Sequence, residues 1–286
     1  MFVIMGVTGR VGGAALEALK QRGIPLRAVA RDPVRAQGLG VETRRGDASD
    51  AESLAAAFAG AEAAFVMLVP PYQARDVLAE SRVMASSIAA AVRAAGVPHV
   101  VALSSVGAHL SEGNGVVQVL HDFEAALADA APSLVFLRPG EFLENWAGML
   151  PAARQAGVLP SGKAALDMRH EAVSALDVGR VAADLLLDPR AGTRIVDLAG
   201  PAPCSALDAA AVLSRLLGKP VTAVPSSREQ SVAALVAAGL GADYAAKLAD
   251  LDEAINAGRL DFPAGGDLRR GTVTLDAVLQ RLVAGG

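Results

Sequence analysis

Apolar residues in the first half of the chain follow two alternating patterns. Short continuous runs at residues 2–5, 26–30, 63–69, 97–103 and 134–137 are bounded by polar or turn residues. Runs of this kind predict strands buried on both faces. Between them lie longer stretches, 11–22, 51–58, 74–95 and 116–130, whose apolar positions recur at helical spacing. A weaker strand fits 41–45. Strands alternating with helices at this spacing predict an α/β chain with a doubly wound parallel sheet and right-handed crossovers.

The pattern changes after Arg138-Pro139-Gly140. Residues 151–170 read as irregular, punctuated by Pro151, Gly157, Pro160 and Gly162. A helix is predicted over 177–187, a strand over 194–198 and a helix over 205–217, with Ser205 and Asp208 as a capping pair. A short strand at 221–224 and a helical region to Leu260 complete the reading. The expected organisation is a main domain over 1–140. A smaller C-terminal α/β lobe over 141–286 interleaves with it and closes over the carboxyl ends of the strands.

Composition narrows the picture. Apolar residues are 52% of the chain but aromatics only 3%, so the core is mostly Ala, Val and Leu, as helices packed on a buried sheet require. A net charge of −4, with no long run of one sign, argues against direct binding to nucleic acid. The single cysteine, Cys204, allows no internal disulfide and fits a reducing compartment. Alanine-rich stretches are broken by charges well before the roughly 20 residues of a membrane span. The opening apolar run is short and lacks a basic leader. The expectation is a cytoplasmic protein without a membrane segment.

One motif carries chemistry. Gly6-Val7-Thr8-Gly9-Arg10-Val11-Gly12 lies between the first strand and the first helix. Exposed N–H groups at a helix start, aided by the helix dipole, suit a pyrophosphate. Gly6 gives a tight turn, Gly9 lets the backbone approach the phosphates, and Gly12 lets the helix pack closely. The spacing is G-x-x-G-x-x-G rather than G-x-G-x-x-G, but the strand-to-helix context is that of a Rossmann-type dinucleotide site. At the end of the second strand, where NAD-binding chains carry an acid, stands Arg31, followed by Asp32. An arginine there favours a 2′-phosphate, and Arg10 is a second candidate contact. The expected cofactor is therefore NADP(H). Asp47 is placed to accept from the adenine amino group, or else to act as a turn or cap residue. The Leu68-Val69-Pro70-Pro71 tract is expected to turn the chain beside the adenine ribose.

The glycine turn, Arg31, Asp47, Ser104-Ser105, Val135-Phe136-Leu137-Arg138-Pro139-Gly140, Glu144-Asn145 and the stretch at 266–268 together resemble the NmrA-like branch of the atypical short-chain dehydrogenases. The resemblance covers nearly the whole chain. It implies cofactor contacts from Gly6, Thr8, Gly9, Arg10, Val11, Gly12, Arg31, Asp47, Leu68, Val69, Ser104, His121 and Pro139. Typical members of the superfamily follow a serine with a tyrosine and, four residues on, a lysine. Here Val117 and His121 stand at those positions, and the chain's tyrosines, Tyr72 and Tyr244, lie elsewhere. Reduction of a simple ketone would lack its proton source.

His121-Asp122-Phe123-Glu124 resembles the His-x-x-Glu signature of NADPH-dependent quinone oxidoreductases in this branch. On a helix, residues three apart share a face. The expectation is that His121 faces the nicotinamide ribose while Glu124 holds its other nitrogen, with both counted as catalytic. The alternative is a histidine satisfied by the backbone. Ser105, Phe142, Asn145 and Trp146 are candidates for a substrate pocket, although Phe142 and Trp146, four apart, read equally well as core. His99, His109 and His170 have no comparable context, and no metal ligand set is read. The leading expectation is hydride transfer from NADPH to a quinone or similar conjugated carbonyl without a catalytic tyrosine. The alternative is a non-catalytic NADP(H) sensor that binds a regulatory partner protein. An isoflavone-reductase-like or epimerase-like enzyme fits less well, for want of the lysine or tyrosine.

Overall fold

The structure, a computed structural model, describes residues 1–285. The predicted alternation is present: β1 (Phe2–Met5), α1 (Arg10–Lys20), β2 (Leu26–Ala30), β3 (Glu42–Arg45), α2 (Ala51–Phe58), β4 (Ala63–Met67), α3 (Val77–Ala95), β5 (His99–Leu103), α4 (Gln118–Leu127) and β6 (Ser133–Pro139). The rest of the chain adds β7 (Glu141–Phe142), α5 (Leu150–Ala156), β8 (Val158–Ser161), β9 (Ala172–Val173), α6 (Ala175–Leu186) and β10 (Gly192–Ala199). It ends with α7 (Ala206–Leu217), β11 (Thr222–Pro225), α8 (Arg228–Ala237), α9 (Ala242–Asn256), β12 (Asp267–Arg270) and α10 (Leu275–Ala284).

The central sheet has eight parallel strands in the order β12-β10-β6-β5-β4-β1-β2-β3. It grows one way from β1 through β2 and β3, and the other way through β4, β5 and β6. The order therefore reverses between β1 and β4, where a doubly wound sheet opens a crevice at the carboxyl ends of its strands. Strand residues alternate between two cores. Val3, Ala64, Val100 and Phe136 meet α2, α3 and α4 through Leu54, Ile88 and Phe123. Ile4, Phe65, Val101 and Val135 meet α1 and α6 through Leu16, Leu19 and Ala182. Gly179 sets the close approach of α1 and α6: a Cβ there would lie 2.5 Å from Ala14 Cβ and 2.6 Å from the Val11 carbonyl oxygen.

Residues 141–286 are less separate than the sequence division suggests. β10 and β12 belong to the central sheet, and α6 lies on its face. The physical reason is the free edge that β6 would otherwise expose. What stands apart is a smaller cluster of α5, α7, α10 and the paired strands β8 and β11, packed through Leu159, Leu213 and Leu279. The stretch read as irregular after residue 150 contains α5. Pro151 sits in its first turn and Gly157 ends it in the left-handed conformation, φ 67°. Those residues delimit the helix instead of excluding one. The capping box of Ser205 and Asp208 is present at α7. Among the described residues, no helix is long and apolar enough to cross a membrane.

Candidate cofactor and acceptor site

The glycine turn joins β1 to α1 at the reversal of strand order. Gly6 has φ +68°, and a Cβ there would collide with Met67 Sδ at the end of β4. Gly9 is the N-cap of α1, and no side chain caps the helix. A Cβ on Gly12 would lie 2.5 Å from the Met5 carbonyl oxygen, so only glycine lets α1 start so close to β1. The Gly9 N–H bonds the Gly6 carbonyl at 2.9 Å, and the first intrahelical bond comes from Gly13 to Gly9 at 3.0 Å. The N–H groups of Arg10, Val11 and Gly12 thus have no carbonyl within the helix. The first turn carries no acidic residue. Thr8, Gly9 and Arg10 are exposed. The start of α1 is a bare donor cluster at the switch crevice, a fit for pyrophosphate.

Arg31 is exposed just beyond β2. Its neighbour Asp32 is turned away, its carboxylate accepting the Val34 N–H at 3.0 Å to cap a short 3-10 turn. Arg27 and Arg44 share Glu42, whereas Arg31 and Arg10 have no salt bridge among the described residues. A free guanidinium in this place, with the adjacent carboxylate engaged, fits a 2′-phosphate better than a ribose diol. Asp47 is engaged in its own turn: Oδ1 accepts the Ser49 N–H at 2.9 Å and the Ser49 hydroxyl at 2.7 Å. Those bonds from Ser49 hold its carboxyl below the usual range, with Arg31 and Arg45 adding to the effect. The cap of α2 is Asp50. Leu68 is buried in the core and Val69 is 40% exposed, so of this pair Val69 is the one that faces outward.

Further along the carboxyl edge, Ser104, Glu124 and Arg138 form a buried chain. Arg138 grips Glu124 with two bonds, Nε to Oε1 at 2.8 Å and Nη2 to Oε2 at 2.6 Å. The Ser104 hydroxyl donates to Glu124 Oε1 at 2.5 Å. Burial works against the charge on Arg138, but Glu124 outweighs it and the guanidinium is held more firmly protonated than usual. This corrects the expected His121–Glu124 contact. Glu124 is consumed by Arg138, and His121 Nδ1 donates instead to the Ala108 carbonyl at 2.9 Å. A buried guanidinium demands a carboxylate. The other ring nitrogen of His121 makes no hydrogen bond among the described residues. The Ser104 and Val106 N–H groups bond the Leu137 and Pro139 carbonyls at 2.8 and 2.9 Å, which ties the ends of β5 and β6 together.

The expected pocket residues do not gather. Phe142 packs on the α1–α6 core and Trp146 on the α5–α7 cluster. Asn145 is exposed, and the Ser105 hydroxyl bonds the Val106 carbonyl at 3.0 Å. A cavity does lie at this edge, but other side chains line it, among them Val106, Glu141, His170, Leu260 and Phe262. Sequence reasoning missed these residues, for which no local motif exists. Glu144, part of the resemblance, is structural: it accepts from the Ser174 hydroxyl at 2.8 Å and the Ala175 N–H at 2.9 Å. His99 is a satisfied core histidine, with Ser133 at 2.7 Å and the Leu185 carbonyl at 2.9 Å. Tyr72 and Tyr244 pack edge-to-face, centroids 4.9 Å apart. They tie the loop after β4 to α9.

Comparison with known proteins agrees with this geometry. Residues 6–189 match the model of an NAD(P)H-binding family. The chain is 27% identical to an NAD(P)H azoreductase of Xenophilus azovorans, over 84% of this chain and 82% of that one. It is 29% identical to quinone oxidoreductase 2 of Escherichia coli, over 91% and 90%. It superposes on the NADPH complex of the NADPH-dependent quinone oxidoreductase QOR2 from Escherichia coli with a TM-score of 0.82 and 28% identity, covering 99% of this chain and 100% of that one. An uncapped helix start at the switch crevice and a family match spanning it lead to one statement: the chain belongs to the NAD(P)H-binding family, as its resemblance to the NmrA-like short-chain dehydrogenases implies.

Proposed function

We propose that this protein is an NADP(H)-dependent oxidoreductase that reduces a quinone or a similarly conjugated acceptor. The observation that carries the cofactor choice is Arg31, free and exposed beside an Asp32 that is engaged in a cap. The Arg10, Val11 and Gly12 N–H groups would hold the pyrophosphate. Arg31 and Arg10 would hold the 2′-phosphate. The ends of β5 and β6, at Ser104 and Pro139, with the free nitrogen of His121, would bound the nicotinamide side. The cofactor supplies a hydride when bound.

The chain's own contribution is placement. With Val117 and His121 where the superfamily's tyrosine and lysine would stand, the site suits an acceptor whose reduced form spreads its charge over a conjugated system and needs little acid help. Two relatives, an azoreductase and a quinone oxidoreductase, act on acceptors of that electronic kind by name, which supports the reading. The substrate is then a small molecule and the setting cytoplasmic.

The test is a panel of quinones, azo compounds and simple ketones, followed by loss of NADPH absorbance. Turnover with the conjugated acceptors, and none with the ketones, is expected. Tight NADPH binding with no oxidation above buffer would overturn the proposal and favour the sensor reading.

A further inference from the structure

We propose that His170 is the proton donor to the acceptor, its imidazole held by Glu141, so that this pair fills the role the missing tyrosine leaves vacant. The inference rests on the oxidoreductase reading above. The cavity at the carboxyl edge is walled by the segments that follow β5 and β6. Val106 comes directly after Ser104-Ser105, and Glu141 is two residues beyond Pro139. Its other walls combine apolar Ile255, Leu260 and Phe262 with the carboxylates Glu171 and Asp261. The space is about 30 Å³, enough for the reacting oxygen or nitrogen of an acceptor rather than its whole ring system.

Two polar atoms of this wall, His170 Nδ1 and Glu141 Oε2, are buried without a hydrogen-bond partner among the described residues. His170 Nε2 stands 2.9 Å from Glu141 Oε2. Its Nδ1 is buried with no hydrogen-bond partner among the described residues. A buried unpaired polar atom costs stability unless a ligand completes it. The position is fixed from the backbone: His170 and Cys204 exchange N–H···O bonds at 3.1 Å, and the Glu141 N–H bonds the Glu171 carbonyl at 3.1 Å. Behind Glu141, Lys163 bridges it at 3.3 Å and Asp252 of α9 at 2.7 Å.

The charges facing the ring come from every neighbouring element. Burial pushes Glu141 up, but Lys163 and His170 outweigh it and hold the carboxyl down at about 2. Glu171 is neutralised by Arg270 of β12 through bonds of 2.7 and 2.9 Å. Asp261 is exposed on the cavity's outer side. Burial raises the Cys204 thiol to about 12, which leaves it uncharged. With Glu141 at Nε2, Nδ1 is the ring atom left to meet the acceptor and to give it a proton. The balance is complete without another reactant. The acceptor C=O takes a hydride from NADPH at the conjugated system and a proton from His170 on oxygen, becoming C–OH. NADPH becomes NADP+, and neutral His170 recovers its proton from solvent.

The experiment compares the full-length protein with His170→Gln and Glu141→Gln, using a soluble benzoquinone and NADPH. The wild type is expected to show a solvent isotope effect on kcat/KM. His170→Gln is expected to lose roughly 100-fold at neutral pH and to show no solvent isotope effect, while its NADPH affinity is unchanged. Glu141→Gln is expected to lower kcat/KM as well, by less than His170→Gln, because the ring loses the carboxylate that holds Nε2. A wild-type rate and isotope effect in His170→Gln would overturn the inference. A second readout is independent of turnover: NMR titration of the His170 ring with and without a redox-inert phenol. A phenol-dependent change in its resonances supports the contact, and none contradicts it. If the wild type reduces no acceptor, the oxidoreductase reading fails, and the phenol titration still decides whether His170 meets a ligand.

Discussion

The proposed cofactor half of the site comes from seven consecutive residues, Gly6 to Gly12, at the junction of one strand and one helix, with Arg31 at the end of the next strand. The proposed acceptor half draws Val106, Glu141, His170 and Leu260 from four separate stretches of chain. The first half is specified by local backbone geometry, where a side chain at Gly6 or Gly12 would collide with β1 or β4. The second is specified by tertiary contacts, through β7 and β9 and the bridge from His170 to Cys204. A family can thus keep its cofactor while exchanging acceptors, because nothing in the glycine turn constrains the cavity.

Cutting the Glu124–Arg138 pair at the carboxyl edge is expected to have the largest effect. The side chains are 11% and 6% exposed. Glu124→Gln strands a buried guanidinium, so stability should fall by roughly 3–5 kcal/mol, read from urea denaturation. Replacing both partners by apolar residues should restore much of that loss.

Gly12→Ala attacks the cofactor half alone. The added Cβ meets backbone oxygen, and about 1–3 kcal/mol of destabilisation is expected from overpacking. NADPH affinity, measured by fluorescence titration, should drop further than the loss in stability accounts for.

Arg31→Glu sharpens the same half without touching the fold. NADPH binding should weaken roughly 10- to 100-fold, as the loss of a charge-assisted phosphate contact of about 1.5–3 kcal/mol implies. NADH binding should change little, and isothermal titration with both cofactors checks it.

The smallest effect lies on the acceptor side. Glu141 is held at about 2, below the ordinary 4.5. Its stabilisation is complete above about 4.5 and is lost as pH falls toward 2. Melting temperatures across that window should fall less steeply in Glu141→Gln than in the wild type.

The same contrast explains what was legible in the sequence. Strand and helix periods gave the doubly wound sheet, because each strand between helices must bury both faces. The steric need for glycine at 6 and 12 was readable because it depends on position relative to one strand end. His170 was not, since nothing near it in sequence signals Glu141. His121-x-x-Glu124 has the right helical spacing for a pair, but the bidentate partner of Glu124 is Arg138 on β6, and a tertiary contact outranked the local one. Pro151 and Gly157 looked like helix breakers because the same residues serve as helix boundaries. β12, with four residues and mostly exposed positions, carries too little apolar signal to be read as a sheet strand.

The central claim is that this NADP(H) site delivers a hydride to a conjugated acceptor. Its most direct test is a single turnover with NADPH deuterated at the reactive nicotinamide carbon, mixed anaerobically with the protein and a quinone. The account predicts NADPH consumption slowed by deuterium, with formation of the hydroquinone in equal amount. Retention of the deuterated NADPH, bound and unoxidised in the presence of the quinone, would contradict it.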